Sequence, residues 1–374
     1  MRIACVYVRD YRPDFLFSNM AGIRWYRMAE ALALRGHQVD IVVDRNQEPA
    51  LLAPRLREVP FRFVRWEDYD VVKTFFHRGF ETLAAAGGDD HPFIISKLGS
   101  VVGRAQTAGV HFYGSVRDRL FNTQTEIARR SKVVTVLTNR SAALWWREHG
   151  SEKRLYQVPT GVDAEIAPLG VNPYLRLGIE GPVALFAGNL YSRRQQEEIN
   201  LAWQNRLNHL GHLLKRRGIS LVAMGTGQTD HLDPAAVTHV GMIDGREVWD
   251  WQRYARVGLV LAQAAVQDNE SSKIYYYLRT GLPVVCEESV PNKWLIEETG
   301  FGAIVPYNQI EAMADAAADL AARSNSDANG VVEYMVEKHS WDVRAALYDP
   351  VLRAVSQYGG VSQSNGSRAQ RLEE

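Results

Sequence analysis

Apolar and polar positions follow two rhythms along this chain: short, mostly apolar runs, and stretches with apolar residues every three or four positions. In the first half the runs are Ile3–Val8, Val39–Val43, Asp70–Phe75, Phe93–Ser96 and Val133–Leu137. Mostly apolar runs of this length, bounded by turn residues, predict strands of a covered sheet. After the first run, Trp25, Met28, Ala29 and Leu32 share one helical face, and Gly36-His37 stops a helix predicted over Gly22–Arg35. A second helix is predicted from Ser141 through Glu148. The rhythm restarts after Val158–Asp163. Strands are predicted at Val183–Ala187, Ser220–Met224, Val237–Val240 and Gly258–Leu261, and in the run ending at Cys286. Helices are predicted over Glu197–Arg217, Arg246–Tyr254 and Ala312–Ala322. Strand–helix–strand alternation means a parallel sheet covered by helices, here twice, so the fold class is α/β with two doubly wound, Rossmann-like domains.

The 374 residues, 46% of them hydrophobic, suffice for two cores. The expected division is 1–160, 161–345, a helix at 346–358 returning to the first domain, and a Gly/Ser/Gln-rich disordered tail at 359–374. Net charge is zero but uneven. Residues 1–160 hold 24 Lys and Arg against 17 Asp and Glu, a net of +7, and the remainder carries −7. The positive half fits an anionic partner, and attraction between the two domains explains the asymmetry equally well. Cys5 and Cys286 both sit in apolar runs, which predicts buried thiols in a reducing compartment. The first run is too short for a signal peptide, and no stretch of about 18 apolar residues is present. A cytoplasmic protein is expected, with peripheral membrane contact as an option.

Candidate chemistry concentrates in Asp268-Asn269-Glu270-Ser271-Ser272-Lys273 and the helix that follows, up to Gly281-Leu282-Pro283. A polar loop feeding a helix N-terminus offers unpaired N–H groups and partial positive charge to an anion. Ser271 and Ser272 add hydroxyls and Lys273 a full charge. An ordinary capped helix is the competing reading.

In their order along the chain these features resemble the retaining family 4 glycosyltransferases of the GT-B fold, over roughly residues 1–345. Ala21-Gly22-Ile23-Arg24 and its helix match the family's amino-terminal glycine loop. Pro159-Thr160-Gly161-Val162-Asp163 matches the interdomain pattern, Met224-Gly225-Thr226-Gly227 the second glycine turn, and Val240-Gly241-Met242 the base-binding loop. The family's first strand of the second domain ends in a glycine, here Gly188, with basic residues one and six positions later. Those positions hold Asn189 and Arg194. The family also carries two acidic residues eight apart before its Gly-x-Pro, the first binding sugar hydroxyls and the second the ribose. They fall on Asp268 and Tyr276, so the second carboxylate is missing; Glu270 is a nearby acid.

The resemblance implies two domains facing across a cleft and transfer of a sugar from a nucleotide-diphosphate donor on the second domain to a carbohydrate, lipid-linked or small-molecule acceptor on the first. The leaving diphosphate gains charge, so the largest catalytic lever is preorganised positive charge. Arg194, Lys273 and Asp268 are the catalytic candidates. Gly188, Asn189, Gly225, Met242, Asn269, Glu270, Ser271, Ser272 and Tyr276 are candidates for the donor, and Gly22, Arg24, His77 and Lys97 for the acceptor side. Lys73 reads as structural. No metal spacing appears, and Asp89-Asp90 reads as a solvated turn. No cofactor is expected beyond the nucleotide-sugar co-substrate, and no nucleic-acid module is present. Tyr11–Phe17 and Trp145-Trp146-Arg147 have the aromatic-basic composition of a membrane-docking surface; a loop and a half-buried Trp pair explain them as well. Two further functions stay open: a nucleotide-sugar epimerase, and a non-catalytic binding or scaffold protein, the latter favoured by Asn189 and Tyr276.

Overall fold

The computed structural model describes residues 1–11, 20–105, 114–150, 154–188, 190, 197–245, 247–323 and 328–355. Two sheets organise them. The first runs β1 (Arg2–Val6), α1 (Met20–Leu34), β2 (Gln38–Val42), β3 (Ala50–Ala53), β4 (Leu56–Val59), β5 (Val71–Phe75), α2 (Phe76–Ala85), β6 (Ile94–Lys97), α3 (Gly114–Arg130), β7 (Val133–Val136), α4 (Asn139–His149) and β8 (Arg154–Gln157). Its spatial order is β3-β4-β2-β1-β5-β6-β7-β8. Every pairing is parallel except β3 with β4. The order reverses direction between β1 and β5, and doubly wound sheets place ligands at such a switch point.

The second lobe contains β9 (Val183–Ala187), α5 (Glu197–Arg216), β10 (Ser220–Met224), β11 (Val237–His239), α6 (Val248–Tyr254), β12 (Val257–Val260), α7 (Ser272–Arg279), β13 (Val284–Glu287), α8 (Trp294–Thr299), β14 (Gly302–Val305), α9 (Ile310–Ala322) and α10 (Ala328–His339). Its six strands are parallel in the order β11-β10-β9-β12-β13-β14, with the switch between β9 and β12. Cys5 and Cys286 are free, buried thiols.

The predicted elements are present with shifted ends, and several more exist. The β3–β4 hairpin turns at Pro54-Arg55, with Arg55 in the left-handed region at φ 66°. Arg55 lacks the usual Gly or Asn signal for that conformation, which hid the hairpin in the sequence. Helix α3 buries only Leu120, Gln124 and Ile127. Its other positions are mostly polar, so no clear apolar face announces it.

Two chain segments join the lobes. The linker at Val162 pairs with the segment before α11 (Trp341–Ala346): Val162 N–H donates to the His339 carbonyl at 2.9 Å, and Trp341 N–H to the Val162 carbonyl at 3.1 Å. The Trp341 ring covers Gly161, where an added Cβ would lie 2.6 Å from it. After this crossing the chain is part of the first core. Trp341, Ala345, Tyr348, Val351, Leu352 and Val355 pack with Cys5, Met28, Val71 and Phe75. Arg35, just after α1, holds the returning segment through Asp342 and Asp349.

Candidate functional site between the two lobes

Strand ends of both sheets face each other across a cavity of about 390 Å³. Its second-lobe wall is Leu261, Gln263 and Gln267 after β12, then Asn269, Glu270 and the start of α7 at Ser271, Ser272 and Lys273. Its first-lobe wall is Met20 and Arg24 on α1, Phe76 and His77 after β5, Gly99 and Ser100 after β6, and Leu137 after β7.

Ser271 occupies the N-cap position of α7 but makes no side-chain cap. Asn292 holds its backbone instead: Oδ1 accepts from Ser271 N–H at 2.8 Å and Nδ2 donates to the Ser271 carbonyl at 2.9 Å. The Ser271 hydroxyl is buried without a protein partner. Lys273 passes over the end of β9. A Cβ at Gly188 would sit 2.8 Å from the ammonium, so a larger residue there would push the lysine end aside. The ammonium stands 5.2 Å from the Phe186 ring centre, and burial pushes its pKa down to about 8.

Glu270 joins the lobes. One carboxylate oxygen accepts from Thr160 N–H at 2.7 Å and from the Thr160 hydroxyl, and lies 3.7 Å from Arg24. The other accepts from Tyr275 OH at 3.1 Å. Arg24 also donates to the Thr160 hydroxyl at 2.6 Å. Arg344 on α11 donates to the Thr160 carbonyl at 3.0 Å. Thr160 is thus held from both sides, and its sequence carried no signal beyond the interdomain pattern. Glu270 is also a wall of a smaller cavity, about 190 Å³, with Thr138, Arg140, Lys293 and Trp294 on its far side.

Several candidates do not line the larger cavity. Asp268 lines neither cavity. Its carbonyl is clipped to the first lobe by Thr138 Oγ1 at 2.6 Å and Ser141 Oγ at 3.2 Å. Its carboxyl sits near Arg140 and Arg147, with its pKa raised by burial against their attraction. The acid in the cavity wall is Glu270. Tyr276 is buried in the second core, stacked on Trp249 with ring centres 5.4 Å apart and 18° between planes. Lys97 is also buried away from the cavity and donates to the Val158 carbonyl at 3.2 Å. Burial, then repulsion from Arg24 and Lys73, holds its pKa well below the usual lysine range. Gly22 lies inside α1 rather than in a loop before it. Asn189 and Arg194 fall outside the described residues, as do residues 12–17 of the aromatic loop.

The glycine turns of the second lobe lie side by side. The turns after β9, β10 and β11 are zipped together: Gly188 N–H donates to the Met224 carbonyl at 2.8 Å, Leu190 to Thr226 at 2.7 Å and Gly225 to Gly241 at 2.8 Å. Met242 stands exposed after the last of these turns. Gly227 has φ 138°, and a Cβ there would overlap the Leu190 carbonyl. Gly227→Ala therefore displaces the turn after β9, with an expected loss of about 2–4 kcal/mol of stability, read as a lowered denaturation midpoint. Phe76 has φ 59°, the left-handed region that bulky residues avoid, and it opens α2 at the cavity. Its ring fills the space over Gly99, where an added Cβ would come within 2.8 Å. Asp89 and Asp90 are ion-paired to Arg130. Among the described residues no group of His, Cys, Asp and Glu is arranged to hold a metal ion.

No protein-family model matches the chain, and no curated protein matches it. Solved structures do. Sucrose-phosphate synthase from Thermosynechococcus elongatus is 13% identical with a TM-score of 0.68, covering 96% of this chain and 100% of the other. Anabaena HepE in complex with UDP and glucose is 10% identical at a TM-score of 0.65, covering 95% and 100%. Trehalose 6-phosphate synthase from Burkholderia multivorans is 10% identical at 0.58, covering 96% and 99%. Likeness at these identities speaks to architecture: two parallel sheets facing across a cleft, in the GT-B fold.

Proposed function

We propose that the chain is a glycosyltransferase. It takes a sugar from a nucleotide-diphosphate donor on the second lobe and gives it to a carbohydrate, lipid-linked or small-molecule acceptor on the first. The observation that carries this reading is the start of α7, where Lys273 and the unpartnered Ser271 hydroxyl line a cavity opposite Arg24. Such a place suits a diphosphate. The HepE structure, with UDP and glucose bound, supports the donor class.

In this reading the bond between the anomeric carbon and the diphosphate oxygen breaks, and its electron pair stays on that oxygen. Lys273 and the α7 amides stabilise the charge there. The acceptor oxygen bonds to the anomeric carbon on the same face and its proton passes to the departing diphosphate, which gives retention without a metal ion. Membrane contact belongs to the same proposal: Trp146 is 59% exposed beside the exposed Arg147. No described helix is long and apolar enough to cross a membrane.

Calorimetry with UDP, GDP and dTDP tests the donor site. One of them binds below about millimolar; if none does, the proposal fails. The pH dependence is a second check. The pKa of Lys273 is about 8 in the folded protein, against 10.5 for the free side chain, so between these values the unfolded chain binds more protons. Stability contributed at this group therefore rises with pH across that window. Diphosphate affinity moves the opposite way, because it needs the ammonium, and falls about tenfold by pH 9. Lys273→Met removes that dependence. A second reading, a binding protein without turnover, is favoured by the burial of Tyr276 under Trp249. It predicts nucleotide binding with no transfer or hydrolysis of the corresponding sugar.

A further inference from the structure

Helix α3 carries a glutamine in its core-facing stripe, between Leu120 and Ile127, and Gln124 is fully buried. The backbone of Val102 holds its amide in one orientation. Val102 N–H donates to Gln124 Oε1 at 2.8 Å, and Gln124 Nε2 donates to the Val102 carbonyl at 2.8 Å. A backbone N–H only donates and a carbonyl only accepts, so this amide has no flipped alternative.

That orientation decides the protons on two histidines. Gln124 Oε1 also faces His77 Nε2 at 3.0 Å, so His77 carries its proton on Nε2. Gln124 Nε2 faces His149 Nε2 at 3.1 Å, so that nitrogen is bare. The lone pair of neutral His77 is then on Nδ1, which makes no hydrogen bond to any described residue. His77 lines the cavity next to Phe76. Burial, the leading cause, keeps its pKa below the usual histidine range. The hydrogen bond that His77 donates to Gln124 and the charge of Glu81 on α2 oppose this, and Arg119 on α3 and His149 on α4 reinforce it.

We propose that Gln124 is a positioning residue that presents His77 Nδ1 as a hydrogen-bond acceptor, making the α2 end of the cavity a subsite for a sugar hydroxyl rather than for a phosphate or carboxylate. The identity of the ligand as a sugar rests on the glycosyl-transfer reading. A bare imidazole nitrogen accepts from a hydroxyl and has no proton to offer a carboxylate or an ionised phosphate oxygen.

Nitrogen NMR of the full chain labelled at histidine tests this directly. Neutral His77 protonated on Nε2 is expected from pH 6.5 to 8. Glucose at high concentration shifts the Nδ1 resonance, and inorganic phosphate does not. If UDP-glucose shifts it at a far lower concentration than glucose, the hydroxyl belongs to the donor; equal concentrations assign it to the acceptor. Either result supports the proposal. A proton on Nδ1, or a resonance moved by phosphate and not by glucose, overturns it.

Gln124→Glu places a carboxylate against His77, raises its pKa and turns Nδ1 into a donor. The expected kcat/KM falls about tenfold at pH 7 and recovers as pH rises, the scale of one misdirected hydrogen bond. His77→Phe loses as much without recovery. A wild-type pH profile in Gln124→Glu overturns the positioning role. Failure of every nucleoside diphosphate to bind would defeat the glycosyl-transfer reading and leave the tautomer measurement standing.

Discussion

Lys273→Ala lowers kcat/KM for the nucleotide-sugar donor by about 10²–10³, the usual effect of removing one preorganised donor from a developing oxyanion. Gly188 leaves the Lys273 side chain a path past the end of β9. Diphosphate affinity falls in parallel, because the same charge is met in the ground state. Folding stability does not fall with it. A lysine whose pKa is pushed down to about 8 by burial is a cost to the folded state at neutral pH, and removing it relieves that cost. Loss of turnover with an unchanged or raised Tm is the expected pair of results. Loss of both together would mean that Lys273 serves packing, and unchanged diphosphate binding would remove it from the site.

Glu270→Ala gives the opposite pair, a large loss of stability whatever the substrate. It strips the buried Thr160 N–H of its acceptor and leaves Arg24 without its carboxylate. Breaking a buried pair from one side costs about 3–5 kcal/mol, since the remaining charge stays desolvated. Thermal unfolding of this variant should begin at a lower temperature than wild type. Glu270→Gln keeps the shape and one acceptor oxygen and recovers part of the loss. If Glu270→Ala melts like wild type, the carboxylate does not hold the lobes together.

Much of the architecture was legible because parallel strands covered on both faces are short, mostly apolar runs, and such runs punctuate both halves. The start of α7 was legible for a related reason: Ser271-Ser272-Lys273 directly precede the apolar positions of a helix. What was not legible depended on distant partners. Asp268 was placed by counting back from Gly281, yet Thr138 and Ser141, more than a hundred residues away, fix its loop. Tyr276 was placed by the same count, and Trp249 takes its ring. Lys97 ends a strand as expected, but its reach is spent on the Val158 carbonyl. His77 was identified from its place after β5. Its proton was not, because that is set by Gln124, which stands on a mostly polar helix with no clear apolar face in the sequence.

The last helical segments, through Val355, belong to the core built on the first strands. A chain emerging from the ribosome therefore completes its second lobe while the first still lacks part of its cover. Until residue 348 arrives, the Lys73 ammonium has no Tyr348 ring 3.8 Å away, and the apolar ground around Cys5 and Val71 lies open. The lobe made first is the one finished last, and the interval between is when this protein is most exposed to aggregation.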